Sequence, residues 1–237
     1  MVKIFRILVF FSFVFVGSSA VSQKKPHSHE SMIWIEAIEK VQINDRFSST
    51  LLWHHRIFID REQTFQDIYW LDLNGRISQN FSLTGGVMYF TYRKDVQGFN
   101  LSVPEWRPFQ AITYTSRIGK SKVNLRLMVE ERYTKKVNEG HFMDEYHFNV
   151  RLRNRAQVFL PVTHQMQLEI SEEILLRNIN LGRGVFDQSR GRVRLHYYPG
   201  NGKFGFNAGY LHWLLNTSDD LEHRHSIMVG VKHRLVF

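Results

Sequence analysis

The sequence predicts an all-β fold, a closed antiparallel transmembrane β-barrel with up-and-down meander topology, as found in bacterial outer membranes. Three observations predict it. Residues 1–22 have the layout of an export signal, nearly all the remaining chain alternates polar and apolar residues, and the last alternating segment ends on Phe237. An export signal directs a chain out of the cytoplasm, and period-two alternation is the mark of strands.

The leader is read from its charge and its small residues. Lys3 and Arg6 supply a positive start, residues 7–16 are apolar except Ser12, and Gly17, Ser18, Ser19 and Ala20 follow. Cleavage after Ala20 or after Ser22 satisfies the small-x-small rule; Ser22 is preferred, which makes Gln23 the first mature residue. The apolar run is too short for a helical span of about 20 residues, and no second run of that length occurs. Residues 23–31, with Pro26, His27, His29 and Glu30, read as a polar leader, and residues 32–237 as the barrel.

The alternation is clearest around His147. His147, Asn149, Arg151, Arg153 and Arg155 share one face, while Tyr146, Phe148, Val150 and Leu152 share the other. Trp70, Asp72, Asn74 and Arg76 oppose Tyr69, Leu71 and Leu73; Arg126, Met128, Glu130 and Arg132 oppose Leu125, Leu127 and Val129. Gln167, Glu169 and Ser171 oppose Leu168 and Ile170, and Arg190, Arg192, Arg194 and His196 oppose Val193, Leu195 and Tyr197. Segments of ten or more residues suit tilted strands crossing a bilayer. Eleven are found: 32–41, 47–59, 67–78, 82–93, 105–117, 122–134, 142–156, 162–176, 186–198, 204–215 and 225–237. Because single-chain bacterial barrels have even strand numbers, the expected count is 10 or 12, with 12 preferred through a short extra strand in 23–31.

The connections alternate between tight and long, as short periplasmic turns and long outer loops do. Tight links are expected near 44–45, 79–80, 119–120, 159–161 and 200–202, and long ones near 94–104, 135–143, 178–185 and 217–222. In the final segment Ile227, Val229, Val231, Leu235 and Phe237 share a face that His233 interrupts, and Phe237 is read as the assembly signal recognised by the barrel assembly machinery. Tyr69, Tyr89, Tyr92, Tyr146, Tyr197, Tyr210 and Trp213 are read as interfacial girdles.

Several short motifs carry a family resemblance. Glu105-Trp106-Arg107, the run from Arg126 to Arg132, Arg151-Leu152-Arg153, Phe186-Asp187-Gln188-Ser189-Arg190 and Gly209-Tyr210 resemble the ladder of the "domain of unknown function 2490" family. The resemblance covers roughly residues 34–237. It implies a Gram-negative outer-membrane barrel and implies no activity.

With apolar faces toward lipid, the polar faces line the lumen. The lumen-lining candidates are Arg126, Glu130, Arg132, Arg151, Arg153, Arg155, Glu169, Arg190, Arg192 and Arg194, with Glu173 as a further acid. Two roles fit: a narrow anion-preferring, porin-like channel, since arginine rings lower the barrier for anions, or a structural envelope protein whose charges pair across a filled lumen. The formal charge of +9 favours small anions or acidic oligosaccharides as partners beside membrane lipid, and export argues against nucleic acid.

An outer-membrane lipid-modifying hydrolase is the alternative, with His29-Glu30-Ser31, His225-Ser226 and Ser171-Glu172-Glu173 as its fragments, none having a clear third partner. No enzyme activity is therefore expected. A soluble periplasmic lipocalin-like binding barrel would need the arginine faces outside. The absence of cysteine excludes thiol catalysis and thiolate metal sites, His223 and His225 amount to half a metal site at most, and no cofactor is expected.

Overall fold

A computed structural model describes residues 26–96, 99–179, 185–218 and 220–236. The leader assigned to 1–22, its cleavage site and Phe237 lie outside these residues. Among them the chain forms eleven strands: β1 (His27–Gln42), β2 (Phe47–Phe58), β3 (Gln63–Arg76), β4 (Phe81–Val96), β5 (Phe99–Ile118), β6 (Ser121–Asn138), β7 (His141–Pro161), β8 (Met166–Arg177), β9 (Val185–Tyr197), β10 (Phe204–Asn216) and β11 (Leu221–Val236). Each of the eleven alternating segments is one strand. No described helix is long and apolar enough to cross a membrane.

The strands pair with their sequence neighbours, and the sheet closes where β1 meets β11. The expected count of 10 or 12 is corrected to eleven, and the fully antiparallel closure is corrected with it. In a meander every strand reverses the one before, so an odd-numbered last strand runs in the direction of the first. β1 and β11 accordingly pair in parallel, in unbroken register from His27↔Leu221 to Gln42↔Val236. Parallel bonding satisfies the backbone of both edges as antiparallel bonding would, so closure sets no parity rule. Residues 27–31, assigned to the polar leader, are the first part of β1.

Two of the expected long loops are strand. β4 and β5 remain paired out to Val96↔Phe99, and β6 and β7 out to Asn138↔His141. Residues 141–148 are exposed on both faces, so this ribbon projects beyond the wall, its ladder satisfying the backbone in water. The turn expected at 159–161 falls at 162–165, where Val162 and Thr163 donate to the Met166 carbonyl at 2.9 and 3.1 Å. At 119–120 the tight turn is as expected, with Gly119 at φ 59°, where a first turn residue needs glycine.

The pleat divides the residues into two sets. Leu51, Leu71, Leu73, Val193, Phe206, Ile227 and Val231 point outward and are exposed. Glu36, Glu105, Arg107, Glu130, Arg151, Glu169 and Glu173 point inward and are buried. Of the aromatics read as girdle, Tyr69, Tyr146, Tyr197 and Tyr210 are on the outer surface. Trp213 and Tyr92 are corrections: both pack in apolar clusters inside the barrel. Each has the inward parity of its strand, which residue type alone does not reveal.

Gly230 is an inward position that requires glycine. A Cβ at Gly230 would lie 2.3 Å from Glu36 Cγ and 2.7 Å from Asn207 Nδ2, whereas one at Gly85 would meet nothing within 4 Å. Gly230→Ala should therefore lower stability by about 1–3 kcal/mol through overpacking, and Gly85→Ala should not. Urea midpoints of the two refolded variants check this; equal midpoints would show that the Glu36 side of the lumen yields freely.

Candidate functional site

The inner surface has two unlike walls. Strands β5–β9 carry an ionic network, built on Glu105 and Arg107 of β5 and on the inward arginines and carboxylates of β6–β9. All ten residues read as lumen-lining point inward. At its centre Glu130 bonds Arg151 at 2.6 Å and Arg153 at 2.5 Å, with Arg107 at 3.7 Å. Glu173 holds Arg153 at 2.7 Å and Arg126 at 2.8 Å, with Arg190 at 3.9 Å. Glu169 holds Arg194 and His196 at 2.7 Å and Arg192 at 3.6 Å. Glu105 accepts from both arms of Arg132, at 2.8 and 3.1 Å, and also bonds Arg107. Asp187 receives Arg151 at 3.2 Å. An ion pair reaches from this network to β1: Arg194 to Glu36, at 2.6 Å.

The facing side, β1–β4 with β10 and β11, carries most of the apolar inward residues, and their second cluster reaches into β5 and β6. Met32, Trp34, Phe58, Leu211, Trp213 and Met228 form one buried cluster; Ile68, Met88, Phe90, Phe109, Ala111 and Met128 form another. Arginines at its margin stack on rings. The Arg56 guanidinium lies 3.5 Å from the Trp34 ring centroid, Arg107 lies 3.5 Å from Phe90, and Arg190 and Arg224 lie 4.5 and 4.8 Å from Trp213. A guanidinium is weakly hydrated and attracted to ring faces, so such stacking lowers the cost of burying it. Glu36, Arg56, Glu105, Arg107, Asp187 and the inward tryptophans were absent from the sequence-derived site. The alternation gives the parity of all but Asp187, which is out of phase with Arg190 and turns inward at a bulge in the β8–β9 register, and the others form no charged row longer than Glu105 and Arg107.

Among the described residues, side chains enclose separate spaces along the lumen. A vestibule of about 730 Å³ opens at the short-turn end, lined by Asp45, Arg46, Asn80 and Arg117 among others. One of about 680 Å³ opens at the opposite end, beside Arg61, Arg93 and Arg224. Between them is a waist cavity of about 200 Å³. It shares Thr50, Trp70, Asp72, Arg126 and Arg155 with the short-turn vestibule and no lining residue with the other. Toward that other side, Phe58, Phe65 and Trp213 pack together, with the Arg224 guanidinium over their rings.

Residues 31–224 match a family described as "Protein of unknown function (DUF2490)". The chain belongs to this family. The match spans most of the sequence and agrees with the resemblance carried by the short motifs. No curated protein matches the chain.

The hydrolase fragments are dispersed in this DUF2490 barrel. Ser226 is buried in the lumen whereas His225 is on the outer wall, bonded to Tyr210 at 2.6 Å. Ser171 and Glu173 face inward; Glu172 faces outward and accepts from Ser189 Oγ at 2.5 Å. His223 and His225 meet His27, His29 and His212 on the outer wall, where ring nitrogens pair at 2.9–3.2 Å. These pairs do not converge: among the described residues no set of three ligands surrounds a metal-sized point.

Proposed function

We propose that this chain is an outer-membrane β-barrel, exported by a cleaved leader and inserted by the barrel assembly machinery, whose arginine-rich lumen gives a narrow, anion-preferring passage. One observation carries the reading. Charge is gathered inside and apolar side chains cover the outside, the reverse of a soluble barrel. A lipocalin-like barrel needs an apolar interior and a polar exterior; here Glu130 and Glu169 are fully buried while Leu71 is 52% and Ile227 57% exposed. A wall of that kind suits hydrocarbon, and a closed sheet leaves no unpaired edge within it.

The 200 Å³ waist favours small anions over acidic oligosaccharides and implies low conductance. In planar bilayers the refolded protein is expected to give small, anion-selective openings. Arg153 is unsuited to a charge-reversal test, because it bonds both Glu130 and Glu173. Arg155 has no ion pair among the described residues and lines the waist, so Arg155→Glu should reduce anion preference while the barrel still folds. An inserted barrel that never opens would reject the passage and leave a structural envelope protein.

A further inference from the structure

The waist cavity combines features that the barrel wall alone does not require. Among the described residues, its lining carries eight arginines and two carboxylates, Glu36 and Asp72. Glu36 is engaged by Arg194 and by Asn207, and Asp72 accepts from Trp70 Nε1 at 2.6 Å. The carboxylates behind the lining, Glu130, Glu169 and Glu173, are each shared by two or more cations.

Three lining arginines therefore have no carboxylate within hydrogen-bond distance among the described residues. Arg155 makes no hydrogen bond or ion pair among the described residues; it stands between Arg126 in the β6–β7 register and Glu173 in the β7–β8 register, Glu173 being engaged by Arg153 and Arg126, and its buried Nε has no partner. Arg192 reaches Glu169 only at 3.6 Å, and its Nε is also unpartnered. Arg56 is 3% exposed, bonds the neutral Gln66 at 2.6 Å and stacks on Trp34, with Nε unpartnered. Enclosed like charges without counter-charge are costly, and an anion among them relieves the cost. Guanidinium edges match an oxyanion head in paired hydrogen bonds.

The opposite side of the same cavity carries an apolar patch: Trp34, Ile68, Trp70, Met88, Phe90 and Met228. A site for inorganic anions alone has no use for that surface. An arginine wall facing an aromatic and thioether wall fits a ligand with a charged head and an apolar body. The volume of about 200 Å³ is below that of drug-sized pockets, so the body is no larger than a single ring or a short chain. Access is from the short-turn vestibule, with which the cavity shares Arg126 and Arg155.

We propose that the waist cavity is a binding site for a small organic acid, its oxyanion head held by Arg155, Arg192 and Arg56 and its apolar body packed against Trp34, Trp70, Met88 and Phe90. The site deepens the arginine-lined lumen of the proposed function and rests on its inward arginine face, though not on the membrane.

Calorimetric titration of the refolded barrel in detergent tests this, with benzoate as the complete probe, acetate as head alone and benzyl alcohol as body alone. Benzoate should bind saturably at one site, with acetate and benzyl alcohol each at least tenfold weaker. Arg155→Gln, which removes a cation without partners and so spares the fold, should weaken benzoate at least tenfold. Arg192→Gln should act in the same direction. Circular dichroism and heat-resistant gel migration establish that each variant is folded. The proposal is overturned if folded barrel shows no saturable benzoate binding, if acetate or benzyl alcohol binds equally well, or if both variants bind benzoate like the parent. A barrel that binds benzoate but does not insert into vesicles would reject the outer-membrane reading alone; one that inserts but ignores benzoate would reject this site alone.

Discussion

Glu130→Gln should destabilise the barrel by about 3–5 kcal/mol, the cost typical of removing one partner from a buried ionic group. Glu130 is fully buried and is the common acceptor of Arg151 at 2.6 Å and Arg153 at 2.5 Å, with Arg107 at 3.7 Å. Glutamine keeps the shape but removes the charge that offsets three guanidinium groups. Asp187 and Glu173 still neutralise Arg151 and Arg153 in part, at 3.2 and 2.7 Å, which holds the loss within that range. Urea unfolding of protein refolded into lipid vesicles measures it. Adding Arg151→Met to Glu130→Gln should restore part of the loss, because the penalty comes from uncompensated charge and the two sites are coupled. A loss below about 1 kcal/mol would mean that lumen water screens the network as it screens a surface pair.

Leu71→Arg should cost about 2–4 kcal/mol in vesicles, the penalty for a cation on the lipid face near mid-bilayer. Leu71 points outward midway along β3, between Leu51 of β2 and Val87 of β4. Met143→Arg provides the contrast. Met143 is also exposed, but it lies in the part of β7 that is exposed on both faces and projects from the wall. A cation there is solvated, and its effect should stay within about 0.5 kcal/mol, as for ordinary surface changes. If the two substitutions prove equally mild in vesicles, the outer wall is not in hydrocarbon and the membrane reading fails.

How far the sequence carries can be judged residue by residue. The row His147, Asn149, Arg151, Arg153, Arg155 is legible as one face of a strand, because side chains alternate along an extended chain whatever surrounds it. The same rule finds all eleven strands and sets Arg190, Arg192 and Arg194 apart from Val193 and Leu195. It fails where the inward set is mixed. Trp213 and Tyr92 have the aromatic character of girdle residues and the parity of lumen residues, and parity decides. It also fails at hairpin tips, where 135–143 reads as loop but the backbone remains paired.

By itself, then, the sequence determined the local matters: strand identity, the polar and apolar face of each strand, the tight turn at Gly119, and a surplus of cations on the polar faces. Tertiary structure alone decided that β1 and β11 close in parallel, that the ionic network gathers on one side of the lumen and most of the apolar clusters on the other, and which charges remain without close partners. The reason is distance along the chain. Arg194 meets Glu36 across 158 residues of sequence, and no local period encodes that meeting. It follows from the register of every intervening strand, and the same registers leave Arg155 opposite Arg126 with its guanidinium facing the waist cavity.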